Sequence, residues 1–161
     1  MKKNYDISLK EAAHALEEQY KSVDGIKQTI RTVFSSSSIV ISLTSGVQLF
    51  SGSVDARWSG LYVAGIVTAA VLYLTLIVFC ILGMWPINFY TPVKMEWNIL
   101  TSAFLGKDEA EISLKHLSAI LNAINLNDPK LQKLLKIELV ALIIMPVLVT
   151  LLLLLAFIPR I

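Results

Sequence analysis

The chain has 161 residues, of which 55% are hydrophobic and only 16% charged, with a formal net charge of +2. Soluble domains carry about 25% charged residues, and here the apolar residues gather into long uninterrupted runs, so an ordinary soluble domain is a poor fit. The single cysteine excludes a disulfide framework, and the near-balance of acid and base excludes a duplex nucleic-acid surface.

Taken in chain order, the first element is an amphipathic helix from Ser8 to Arg31. Leu9, Leu16, Val23 and Ile30 recur every seven residues, with Ala13 and Tyr20 at the intermediate places. That spacing predicts a helix packed on another helix. The segment is polar and charged, so the apolar run after it is expected to act as a retained signal anchor. With no proline between them, the helix is expected to run directly into that first span.

A span needs roughly 20 mostly apolar residues. Three stretches meet this test without a charged side chain: Thr32–Val54, Trp58–Val93 and Leu139–Pro159. The first is the most polar. Ser35, Ser38, Ser42 and Ser45 form one stripe on its helix, and Arg31 continues that stripe one turn earlier. The second span, about 60–84, has Trp58 and Tyr62 at one end and Trp85, Phe89, Tyr90 and Trp97 at the other, as interfacial aromatic belts require. Pro86 and Pro92 mark where it stops. Gly65 with Ala69, and Ala64 with Thr68, are small pairs that permit close helix approach.

A second amphipathic helix is predicted over 108–124, with Ile112, Leu117, Ile120, Leu121 and Ile124 as its stripe. The following Asn125–Pro129 reads as a break and restart, with Asp128 as N-cap and Pro129 as first helical residue. From Pro129 one long helix is expected to continue through Lys136 into the third span, kinked at Pro146. The fold class is therefore all-α: an integral membrane protein with three transmembrane helices and amphipathic cytoplasmic helices. It divides into a cytoplasmic helix (1–31), a transmembrane hairpin (32–93), a cytoplasmic insert (94–136) and a third span (137–161). Of the 14 basic residues, all but Arg57 and Arg160 fall in 1–31 or 94–136. The positive-inside rule places the N-terminus and the insert in the cytoplasm and the C-terminus outside.

No phosphate-binding glycine loop, nucleophile elbow or metal-ligand spacing occurs, so neither catalysis, a cofactor nor a metal is expected. His14 and His116 are isolated. The serine stripe has two readings: close packing of helices with interhelical hydrogen bonds, or the lining of a pore. Three helices cannot enclose a pore alone, so a channel would be a homo-oligomer. Arg31 and Glu138 are then candidates for charge at the inner mouth. Lys107, Lys115, Lys130 and Lys133 are candidates for an anionic ligand; the competing reading sets Lys130, Lys133 and Lys136 against anionic headgroups.

The order of amphipathic helix, hairpin and helical insert over 8–126 resembles the two-span SLATT-type modules of bacterial anti-phage defence. The whole plan is similar to the pore-forming membrane effector of Hailong-type systems, with the third span an addition to the two-span pattern. The resemblance implies an oligomeric inner-membrane pore controlled by a cytoplasmic nucleotide or oligonucleotide. A non-conducting scaffold, immunity-type protein or subunit of a larger membrane complex is the alternative.

Overall fold

The computed structural model describes residues 2–50, 59–92 and 109–156, with side chains described for 7–46, 59–92 and 111–156. Three helices account for nearly all of them: α1 (Lys2–Phe50), α2 (Ser59–Met84) and α3 (Glu109–Ala156). No strand occurs among the described residues. The chain forms two compact units, Met1–Gly25 with Pro86–Lys133, and Ile26–Trp85 with Leu134–Ile161.

In the first unit, the early turns of α1 pack on the early turns of α3. Ala12, Leu16, Ile120 and Ala123 form the core, with Leu9, Tyr20, Leu117 and Ile124 against it. The two alanines allow the backbones to approach, and the larger residues close the seam from either side. Ala12 takes the position expected of Ala13, which is exposed. The exposed face carries pairs one helical turn apart: the ion pairs Glu17–Lys21 at 2.8 Å and Glu111–Lys115 at 3.0 Å, and His14 Nδ1 at 3.5 Å from the Glu18 carboxylate. The Lys21 ammonium, bonded to Glu17 and adding its charge, holds that carboxyl below the usual carboxylate range, and Glu17 raises Lys21 in return.

The second unit packs the remainder of α1, all of α2 and the later turns of α3. Its buried residues recur at alternating steps of three, four or seven: Ile26, Ile30, Val33 and Ser37 on α1; Ala69, Leu76, Cys80 and Gly83 on α2; Leu134, Ile137, Ala141, Leu148 and Leu155 on α3. That period is the seam of left-handed helix packing. Gly65 lies against Leu155, and Gly83 against Ile30 and Ile137. Ala64 and Thr68, the other small pair, face outward.

Two of the helices, α2 and α3, are long and apolar enough to cross a membrane by length and composition. Only 17% and 22% of their most apolar windows is buried, so they do not resemble the enclosed core helices of a soluble protein. Large apolar side chains point away from the unit instead, among them Leu61 at 60%, Leu74 at 62% and Leu154 at 63% exposure. The expectation of three such helices is corrected to two among the described residues. The expected span Thr32–Val54 extends past the residues whose side chains are described.

A second correction concerns Asn125–Pro129. No break occurs there: α3 is one helix of 48 residues, with Pro129 in its interior. An interior proline removes one backbone hydrogen bond, crowds the carbonyl four residues earlier and costs about 3 kcal/mol. Something must offset that cost, and the contacts of Asn127 described below do so. Pro146 likewise lies within the unbroken helix. At the other end of the chain the continuity expected of α1 is observed, from Lys2 to Phe50.

Candidate functional site

The serine stripe of α1 lies in the second unit. Ser35, Ser42 and Ser45 are exposed and Ser38 is half-buried, its hydroxyl 3.3 Å from the Tyr73 hydroxyl of α2. The hydroxyl that enters the core is a different one. Ser37 is 1% exposed, at the next seven-residue step after Leu9, Leu16, Val23 and Ile30. Helix packing within the chain therefore uses Ser37 and the edge of Ser38, and leaves the rest of the stripe outside.

The exposed arc of α1 has two sides. At 3.6 residues per turn, Ile39 and Leu43 lie roughly 90° round the helix from the stripe, and they are 60% and 66% exposed. One side of the arc is thus apolar and the other carries hydroxyls. Those hydroxyls donate to carbonyls of their own helix: Ser35 to Thr32 at 3.1 Å, Ser38 to Phe34 at 2.9 Å and Ser42 to Ser38 at 2.9 Å. Thr44 bonds Val40 at 2.8 Å in the same way. Back-bonding satisfies each donor locally and leaves the oxygen lone pairs as the outward polarity of the face.

Among the inner-mouth candidates, Arg31 is exposed and Glu138 half-buried. The described lysine candidates do not converge within one chain. Lys107 lies outside the described residues. Lys115 is paired with Glu111, and Lys133 is exposed. Lys130 sits with its ammonium 4.2 Å from the centre of the Tyr90 ring and donates to the Asn88 carbonyl. Lys115 and Lys130 are about 22 Å apart along α3 at roughly 1.5 Å per residue.

Sequence reasoning missed the most organised polar site, in the first unit. After α2 the chain runs without helix from Pro86 to Pro92, and the Asn127 carboxamide grips it. The Tyr90 N–H donates to Asn127 Oδ1 at 2.7 Å, and Asn127 Nδ2 donates to the Tyr90 carbonyl at 2.9 Å. The Tyr20 hydroxyl donates to the same carbonyl at 3.0 Å. Asn127 is fully buried, so both halves of its amide are satisfied away from water, as burial demands. A signal did exist. Ile120, Asn127, Leu134, Ala141, Leu148 and Leu155 follow one another at seven-residue steps, and all are buried. A lone asparagine in such a series marks a polar contact that fixes register.

Burial pushes the Tyr20 phenol above its ordinary range. Since the neutral form is the one favoured in the folded state, its stabilising bond to Tyr90 holds below the ordinary phenol range. It is lost as pH rises through the elevated value. Tyr20→Phe is expected to cost about 1 kcal/mol and to remove that alkaline step from thermal unfolding followed by helicity; an unchanged alkaline profile would show the bond to be idle. Among the described residues no cluster of metal-ligating side chains occurs. Comparison with protein-family models, curated proteins and solved structures finds no match to this chain.

Proposed function

We propose that this protein is a homo-oligomeric ion channel or pore-forming effector of the bacterial inner membrane, controlled from the cytoplasm. The observation that carries this reading is the divided outer arc of α1: hydroxyls at Ser35, Ser42 and Ser45, with Ile39 and Leu43 beside them. In an oligomer that arc turns its hydroxyl side to a water path and its apolar side to neighbouring helices or lipid. α2 and α3 supply the lipid-facing surface with their exposed leucines and valines. The basic residues set the N-terminus and the 94–136 segment inside and the C-terminus outside. Arg31 then stands at the inner end of the hydroxyl side and biases ion traffic there.

A nucleotide or oligonucleotide is the effector class implied by the resemblance to anti-phage membrane proteins. In this chain Lys115 and Lys130 are already engaged, so recognition of an anion falls to Lys107 and Lys133 repeated around the oligomer axis. The test is planar-bilayer recording of the purified chain, alone and with added nucleotides, which is expected to give discrete conductance steps. Absence of conductance in every condition would exclude the channel. A second reading, a non-conducting scaffold or immunity-type subunit, is favoured by the back-bonding of Ser35, Ser38, Ser42 and Thr44. Hydroxyls satisfied by their own helix can pack against a protein partner without water.

A further inference from the structure

Residues Asn125–Pro129 combine two opposed instructions. Locally, Asp128 followed by Pro129 is a helix start: an N-cap whose carboxylate can accept the amides of Lys130 and Leu131, and a first residue that needs no N–H. Both Asp128 and Pro129 are exposed, so nothing in the core requires either to stay in a helix interior. The observed α3 nevertheless runs straight through them. What opposes the break is one residue, Asn127, fully buried and bonded to both backbone groups of Tyr90. Lys130, on the next turn, adds its contacts to the Tyr90 ring and the Asn88 carbonyl. The hydrogen bonds of Asn127 and Lys130 end on the non-helical segment Pro86–Pro92, and just before them Gln19 of α1 donates to the Ile124 carbonyl at 3.4 Å. A disagreement between local signal and tertiary contact at one site is how a two-state element is built.

We propose that residues 125–129 are a conformational switch, helical while Tyr90 is clamped and broken at Asp128 when the 86–92 segment leaves. In the released state Asp128 caps a helix beginning at Pro129, and Asn127 gives up its buried position for water. The coupling is reciprocal: whatever captures the 86–92 segment breaks α3, and whatever straightens α3 favours docking of that segment. Tyr90, 53% exposed although its backbone is gripped, is the accessible handle on the device. The switch operates whether or not the protein conducts ions.

The test is amide hydrogen exchange on the full chain in detergent micelles. In Asn127→Leu, the amides of residues 127, 128, 130 and 131 are expected to exchange about tenfold faster than in the native chain, together with those of Phe89 and Tyr90. The amides of 120–123 should stay protected. Adding Pro129→Ala, which restores an N–H and removes the restart signal, should return residues 127–131 to slow exchange while Phe89 and Tyr90 remain fast. Acceleration confined to Phe89 and Tyr90 would overturn the proposal, and so would acceleration at 127–131 that Pro129→Ala does not reverse. Should Asn127→Leu fail to fold, Pro129→Ala alone decides: slowing at 127–131 of about tenfold is expected, and unchanged rates there would overturn the switch.

Discussion

Gly83→Ala is expected to destabilise the second unit by about 1–3 kcal/mol, and Gly83→Leu to prevent its folding. A Cβ placed on Gly83 would overlap Ile30 Cδ1 and lie 3.1 Å from Ile137 Cγ2. The first of these is the far end of a flexible chain. The second is a branch methyl attached directly to Cβ, and it moves only with α3 or by a χ1 rotation that a helix disfavours for isoleucine. Gly65 is the internal control. Its Cβ would meet one side chain alone, Leu155, at both Cδ methyls and at Cγ; that side chain can rotate away, and alanine gains about 1 kcal/mol in helix propensity over glycine. Gly65→Ala should therefore be near neutral. Loss of helicity on heating in detergent measures both, and equal effects at the two glycines would refute the packing described for α1, α2 and α3.

On the channel reading, Ser42→Leu combined with Ser45→Leu is expected to abolish single-channel conductance while leaving the mass of the proposed oligomer in detergent unchanged. Both positions are exposed within the chain, so added volume meets no core neighbour, and leucine is a better helix former than serine. In the proposed pore, a leucine ring there would dry the lumen. Ser37→Leu is the contrasting substitution: at 1% exposure it overpacks the core and should lower stability by about 1–3 kcal/mol. Unchanged currents in the double variant would mean that the stripe does not face the path. Loss of the oligomer would mean that it is the contact between copies.

Helix identity was legible because the 3.6-residue pattern of apolar positions is strong in each segment, and the end of α2 was legible because Trp85-Pro86 stops a helix. The seven-residue series from Leu9 to Ile30 was also legible. Its next member is Ser37, and a serine inside an apolar span does not announce itself as a core residue. The hydroxyl stripe attracted attention by its regularity, yet the buried hydroxyl lies beside it. Asn127 was obscured for the opposite reason. Asn, Asp and Pro in close succession carry the strongest local signal for a helix boundary, and only a partner 37 residues away in sequence overrides it. Local propensity reports what a segment prefers alone; it carries no information about Tyr90. Of the lysine candidates, the pairing of Lys115 with Glu111 was readable as an i,i+4 neighbour, whereas the seat of Lys130 on Tyr90 depends on where an irregular segment docks.

The chain's one cysteine, Cys80, is fully buried in the second unit. Its thiol is sealed from polar alkylating reagents, so a cysteine introduced at Ser35, Ser42 or Ser45 would be the sole reactive sulfur in an otherwise native protein. Substituted-cysteine scanning of α1 can thus proceed without a thiol-free background. A charged, membrane-impermeant reagent labels residues that meet water and spares those that meet lipid or another helix. Position by position, labelling along α1 becomes a direct map of its surroundings in intact cells.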